Sequence, residues 1–382
     1  MSSVLLTGAT GFVGGELLVR WLERTDRDVV TLIRAPNDAA ASARMDVALQ
    51  QLAGNASEHR NRVRAVAADM TAPGLGLDER QADALADEVD TIVHSAASVS
   101  FELPLEQARA INVGGTRGML ELARRCARRG TGLRRYGHVS TAYVAGDRRG
   151  VAREDELDEC GARFRNSYER SKAEAERRVR EAAGDLPVQV FRPSIVVGES
   201  TTGWTSSFNV LYAPLRAFAL GAFPAIPARR SAPVDVVPVD YVADAVVALT
   251  DRAGGDGETF HLVAGERASS VGELIDLGAT ELGTTPPRVI SPALWRLVGP
   301  ALRRRLPVRA RLTLERSDQY FPYFASRVRF DARRARSRLA AAGVDSPPPL
   351  RDYFGRLVAF ARAARWGRAQ PPREPPSSLP AR

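Results

Sequence analysis

Tyr168 and Lys172 stand four residues apart in the stretch Asn166-Ser167-Tyr168-Glu169-Arg170-Ser171-Lys172. On a helix that spacing puts both side chains on one face, one turn apart. Residues 173–183 are rich in Ala, Glu and Arg and read as helix. Lys172 is the only lysine among the 54 Lys and Arg residues of the chain. Lysine differs from arginine where a compact, strongly hydrated point charge is needed and a planar fork does not fit. A phenol with an ammonium one turn away is a proton donor. The cation favours the phenolate, so the pKa of Tyr168 is expected to fall towards neutral pH. Ordinary amphipathic helices show the same spacing, so the surrounding elements must carry the rest of the argument.

Those elements alternate between strand and helix. Residues 4–7 form a short apolar strand, Gly8-Ala9-Thr10-Gly11-Phe12-Val13-Gly14 follows directly, and residues 16–24 read as a helix. Glycines at such a turn remove the Cβ atoms that would block a pyrophosphate, and the helix N-terminus offers free N–H groups. The next strand, 29–33, ends in Arg34. An acid there would bond a ribose 2′-hydroxyl, whereas an arginine suits a 2′-phosphate and favours NADPH over NADH. A solvated arginine is the competing reading. Strand 63–67 leads to Asp69, placed to meet an adenine edge, and strand 91–94 runs into the small residues Ser95-Ala96-Ala97, which leave room for a cofactor. His94 reads as structural. Residues 105–129 read as one long helix, with Asn112 mid-way where Asn is a poor former, which invites a role in bonding near the site. Strand 136–139 ends in the hydroxyl pair Ser140-Thr141, and an acidic loop at 154–159 leads to the Tyr168 helix. Further strands are expected at 188–192, 236–238 and 259–263, with a helix at 241–250. The alternation predicts a doubly wound α/β fold on a parallel sheet.

Together these pieces resemble the extended short-chain dehydrogenase/reductase superfamily, on Thr7 to Gly14, Asp69, His94 to Ala97, Asn112, Ser140-Thr141, and Tyr168 with Lys172. Within it the chain looks most like the fatty acyl-CoA reductase and thioester reductase branch, on residues 138–144 and 191–198, Gly203-Trp204 and residues 234–244. The resemblance covers residues 3–265. It implies a Rossmann NADP-binding domain over 1–265 that carries a Thr-Tyr-Lys catalytic set. A small, mostly helical C-terminal substrate or cap region follows over 266–366, then a disordered tail over 367–382, rich in Pro, Ser and Arg. It also implies catalytic roles for Thr141, Tyr168 and Lys172, with Ser140 and Asn112 beside them. NADPH (NADP+) would be held by Gly8, Thr10, Gly11, Phe12, Val13, Gly14, Arg34, Asp69, Met70, Ser95, Ala96, Ala97, Lys172, Pro193 and Ile195. The implied activity is reduction of an acyl thioester, on CoA or an acyl-carrier protein, to aldehyde and onward to alcohol, within lipid metabolism. The rival is an extended-family enzyme acting on another carbonyl, a hydroxyl or a nucleotide sugar. A non-catalytic NADP-sensing or scaffold protein is a third reading, and a complete Thr–Tyr–Lys set argues against it. Members that act on long acyl chains often carry a larger C-terminal domain, which leaves chain length and extent of reduction open.

Composition sets the outer bounds. At 382 residues with 44% apolar content, one large domain or two can bury a core. No run of ~18 uncharged apolar residues predicts a membrane span, and no basic n-region precedes the first strand, so a cytoplasmic location is the expectation. Cys126 and Cys160 make neither a disulfide framework nor a zinc pattern. The net charge of +9 is arginine-borne, which suits a nucleotide, an acidic carrier or a peripheral membrane contact, and no nucleic-acid motif is present. Oligomeric state is left open. Residues 206–227, apolar and aromatic, read either as a wall for a greasy substrate or as core. Arg303, Arg304, Arg305, Arg309, Arg311 and Arg316 read either as a dock for phosphates or acidic carriers or as a solvated face.

Overall fold

The computed structural model describes residues 2–53, 59–157, 163–208, 210–221, 225–305, 307–308, 311, 315, 318–371 and 373. Seven strands form the central sheet: β1 (Ser3–Thr7), β2 (Val29–Ile33), β3 (Val63–Ala67), β4 (Val89–His94), β5 (Arg135–Val139), β6 (Val188–Pro193) and β7 (Thr259–Leu262). Their order is β3-β2-β1-β4-β5-β6-β7, and every pairing is parallel. Helices cover both faces. Leu17, Leu18 and Trp21 pack with Val242 and Val246 on one side, and Leu5 and Val30 with Met119, Ala123 and Val179 on the other. A sheet covered on both faces needs near-continuous apolar strands rather than alternating ones, which is how β1 and β2 read. The strand order reverses between β1 and β4, and a crevice opens there at the carboxyl edge. Register aligns Thr7 with His94 and His94 with His138, so three strand ends meet side by side.

The helix expected over 105–129 is broken into Leu105–Arg109, a π-helical turn Ala110–Gly114 and Gly115–Ala127. A π turn carries an extra residue and re-aims the side chains within it, here Asn112.

A second lobe sits on the carboxyl edge. Its C-terminal part, residues 266–366, is mostly helical among the described residues. Beside helices Tyr212–Ala219, Val271–Leu282, Pro292–Arg305 and Phe354–Ala363, the lobe holds two-stranded pieces such as Arg149–Ala152 with Arg327–Phe330 and Ile195–Val197 with Val236–Pro238. Its apolar cluster draws on Tyr143, Ala152, Ile195 and Val236 as well as Tyr323 and Leu357. From the stretch 206–227, Leu211, Tyr212, Leu215, Phe218 and Ile226 belong to that cluster, while Ser206, Ser207 and Val210 reach the main cavity; residues 209 and 222–224 lie outside the described residues. Of the candidate docking arginines, Arg304 is exposed, the side chains of Arg303 and Arg305 are not described, and Arg309 and Arg316 lie outside the described residues. Of the tail expected to be disordered, residues 372 and 374–382 lie outside the described residues, while the side chain of Arg373 is described. Its guanidinium pairs with Glu16 at 3.0 Å and with Glu199, and lies 5.1 Å over the Trp204 ring. Among the described residues no helix is long and apolar enough to cross a membrane, and no group of His, Cys, Asp and Glu could hold a metal. Cys126 is free and buried, and Cys160 lies outside the described residues.

Candidate active site

One cavity of about 950 Å³ runs along the crevice from Arg34 to Tyr323. Its nucleotide end is built by the glycine loop. Gly11 N donates to Gly8 O at 2.8 Å, and Gly11 caps the helix Phe12–Arg24 without a side-chain hydrogen bond, leaving the first-turn N–H groups for a ligand. Gly8 has φ +78°, and a Cβ at Gly14 would lie 2.1 Å from Gly8 O. No other residue fits Gly14, and the loop has the close backbone approach a pyrophosphate needs. Thr7 braces it from below: its Oγ1 accepts from Ser95 N at 3.1 Å and Ala96 N at 3.0 Å and donates to His94 Nδ1 at 2.8 Å. Thr116 Oγ1 donates to Asn112 O at 2.7 Å, so it accepts from His94 Nε2 at 3.3 Å. Burial, helped by the Lys172 charge, brings the His94 pKa down to about 3 and keeps the ring neutral. His94 is thus a satisfied structural group.

Arg34 lines the cavity with Arg44, and Asp69 lies close by. Hydrogen bonds from Thr71 N and Thr71 Oγ1, at 2.8 and 2.7 Å, hold the Asp69 carboxyl below the usual range, with Arg34 adding to the effect. Arg44 went unread in the sequence because it lies in the helix Asp38–Ala53, ten residues past the strand end that drew attention. Thr10, Phe12, Val13, Met70, Ala97, Pro193 and Ile195 line the same cavity. These residues fit a dinucleotide.

At the other end the chemistry-bearing side chains converge. Asn166 caps the helix Ser167–Glu181 by accepting from Glu169 N, and Tyr168 and Lys172 face the cavity from its first turns. Thr141 Oγ1 accepts from Tyr143 N at 3.3 Å and donates to Pro193 O at 3.5 Å, and it lines the cavity beside Tyr168. The expected acidification of Tyr168 is corrected: burial dominates and pushes the phenol up to about 12, with the nearby Thr141 hydroxyl opposing it. Lys172 Nζ donates to Val139 O at 2.7 Å and stands 3.5 Å from His138 Nε2. Burial lowers its pKa to about 8, partly offset by Glu176.

Two expected catalytic neighbours are occupied elsewhere. Ser140 lines the cavity, yet its Oγ donates to Glu176 Oε2 at 2.7 Å. Asn112 does not line the cavity. Its Oδ1 accepts from Ser98 N at 2.8 Å, and its Nδ2 donates to Ser98 O at 3.1 Å and Ser171 Oγ at 2.9 Å. It therefore ties the loop after β4 to the Tyr168 helix. The acidic loop is also displaced from the site: Glu154 accepts from His261 N, Arg334 N and Ala335 N, capping the helix Arg333–Ala340, and residues 158–162 lie outside the described residues.

Glu176, one helical turn beyond Lys172, was not singled out in the sequence. It is buried and accepts from Arg192 Nη2 at 2.6 Å and Arg180 Nε at 2.9 Å. Burial alone would raise its pKa, but the Arg192 charge and hydrogen bonds, then Arg180 and Ser140, hold it down to about 2. Phe101 and Tyr323 also went unread. The Phe101 ring stacks on Tyr168 at 5.8 Å and on Tyr323 at 5.7 Å, giving this end an aromatic wall.

The chain is similar in sequence and fold to known proteins. The chain is 38% identical over 250 residues to an isonitrile lipopeptide synthase from Streptomyces coeruleorubidus, covering 65% of this chain and 16% of that one. It is 32% identical over 293 residues to a carboxylic acid reductase from Mycobacterium marinum, covering 68% of this chain and 24% of that one. It thus spans a quarter or less of the length of these relatives. Among solved structures, the terminal R domain from the myxalamid PKS-NRPS biosynthetic pathway superposes with a TM-score of 0.82 at 29% identity, covering 97% of this chain and 92% of that one. The reductase domain of a nonribosomal peptide synthetase from Mycobacterium tuberculosis does so with a TM-score of 0.73 at 26% identity, covering 96% and 92%. Residues 6–246 match the family described as male sterility protein, and the chain belongs to that family, as an NAD(P)-dependent oxidoreductase of the extended short-chain dehydrogenase/reductase superfamily in its thioester reductase-like branch.

Proposed function

We propose that this chain is an NADPH-dependent reductase of an acyl thioester borne by CoA or an acyl-carrier protein. The observation that carries the reading is the meeting, on one cavity, of the glycine loop, the arginines Arg34 and Arg44, and the Thr141–Tyr168–Lys172 set beneath an aromatic end. Two relatives are reductase domains of PKS-NRPS and nonribosomal peptide synthetase enzymes and another is a carboxylic acid reductase, which supports a thioester over a sugar nucleotide.

The glycine loop and the helix N-terminus behind it would hold the pyrophosphate, Arg34 and Arg44 the 2′-phosphate, and Lys172 the nicotinamide ribose. When bound, NADPH supplies a hydride to the thioester carbonyl carbon. Thr141 and Tyr168 hydrogen-bond the carbonyl oxygen where negative charge develops, and Tyr168 gives it a proton. A phenol held near 12 is fully protonated at neutral pH and delivers its proton only once the oxygen has become strongly basic. Lys172, cationic below about pH 8, stabilises the phenolate left behind. The hemithioacetal so formed breaks its C–S bond, releasing aldehyde and thiol, and a second hydride transfer at the same site yields the alcohol.

The test follows NADPH oxidation with acyl-CoA, acyl-carrier protein, simple aldehydes and nucleotide sugars, with the aldehyde trapped and identified. Thioester-dependent oxidation with release of free thiol is expected. Turnover of nucleotide sugars with no reaction of either thioester would refute the proposal.

A further inference from the structure

Four residues, Tyr143, Ile195, Val210 and Tyr323, face two spaces at once. On one side is the main cavity with Tyr168 and Thr141; on the other is an apolar void of about 20 Å³ bordered by Leu211, Val234, Phe324 and Phe330. A space of that size holds one water-sized group. The four residues therefore form a partition at the reacting end of the cavity.

The partition is held in place by polar contacts that aromatic packing alone does not need. Tyr323 Oη donates to Glu169 Oε1 at 2.6 Å and accepts from Asn166 Nδ2 at 3.0 Å, while the Arg165 guanidinium lies 5.1 Å over its ring. Asn166 and Glu169 flank Tyr168, so the wall is fastened to the same helical turn as the proton donor. Tyr143 meets the Tyr323 ring edge-on at 5.1 Å. Val210 carries a second mark. Its φ is +36°, a conformation rare for a β-branched residue and kept only where surroundings over-determine it. Such positions cluster at ligand-contacting walls.

We propose that Val210 and Tyr323 determine which acyl groups this reductase accepts, by closing the acyl end of the cavity so that short or compact acyl chains seat against Tyr168 and extended alkyl chains do not. This rests on the thioester-reductase reading and names the substrate class within it. The void behind the partition is the space that truncation would join to the cavity.

The experiment measures kcat/KM for butyryl, octanoyl and dodecanoyl thioesters of CoA, and in parallel for the matching aldehydes. The native protein should favour butyryl. Val210→Gly suits a positive φ, so it should fold with an unimpaired Tm while removing the isopropyl group from the partition. It should raise the octanoyl-to-butyryl ratio about 10-fold, since the freed isopropyl space and the void together admit a few methylenes, and leave dodecanoyl poorly accepted. Tyr323→Phe keeps the ring but loses the bond to Glu169, and should raise the same ratio less. A native preference for dodecanoyl, or an unchanged ratio in Val210→Gly, overturns the proposal. If only the aldehydes react, the thioester reading fails while the aldehyde ratios still decide on the partition.

Discussion

Removing the charge of Glu176 should uncouple the stability of the site from its fold. Glu176 is fully buried and its pKa falls from an ordinary 4.5 to about 2, because Arg192 and Arg180 outweigh the burial that opposes them. At roughly 1.4 kcal/mol per pH unit this is about 3 kcal/mol of stabilisation. The sign is that of a depressed carboxylate: the stabilisation is fully present above 4.5 and is lost as pH falls through about 2. Removing one partner of a buried ion pair independently suggests ~3–5 kcal/mol, because Arg192, itself buried, is left uncompensated. Glu176→Gln should therefore lower the unfolding free energy by about 3–5 kcal/mol at neutral pH, read from urea melts. The gap to the native protein should narrow below pH 4.5, and adding Arg192→Met should recover part of the loss. The second readout is kcat against pH. Lys172 faces Glu176, His138, His94 and Tyr168, and of these only Glu176 supports its charge. Activity that needs the ammonium falls as pH rises through about 8 in the native protein, and this alkaline limb should move to lower pH in Glu176→Gln. An unchanged urea midpoint together with an unchanged alkaline limb would refute the reasoning.

Tyr168→Phe removes one oxygen and should lower kcat by roughly 10²–10⁴ while NADPH affinity, measured by fluorescence titration, holds. Lys172→Arg should lose most activity, since Nζ sits in a buried slot against Val139 O that a planar fork does not fit; full activity would show that charge alone suffices there. Arg34→Ala and Arg44→Ala should each raise the KM for NADPH and change that for NADH little, with the double variant near parity between cofactors. Replacing Arg303, Arg304 and Arg305 with Gln should raise the thioester KM at low salt and flatten its salt dependence, leaving NADPH binding alone; an unchanged KM returns these arginines to the solvated surface.

What the sequence determined by itself was local. Strand, glycine turn and helix follow one another within two dozen residues, so the nucleotide end was legible from residue types and spacing. Tyr168 and Lys172 share a helical turn, and the 3.6-residue period alone puts them on one face. The hydroxyl pair was legible to the strand end, and the bond from Ser140 to Glu176 then leaves Thr141 as the hydroxyl on the cavity beside Tyr168. Tertiary structure decided the rest. Glu174 and Glu176 look alike in the chain, yet Glu176 alone is sealed against Arg192, which β6 brings in from 16 positions away. Asn112 was noticed as a poor helix former, but only the π turn directs it to Ser98 and Ser171. Tyr323 reaches Glu169 from 154 positions downstream, and Arg373 reaches Glu16 from 357. The charge of Lys172 was visible and its effect on Tyr168 misjudged, because an ion's influence on a neighbour depends on how much water each has lost. Desolvation is a property of everything packed around a group, and no spacing along the chain encodes it.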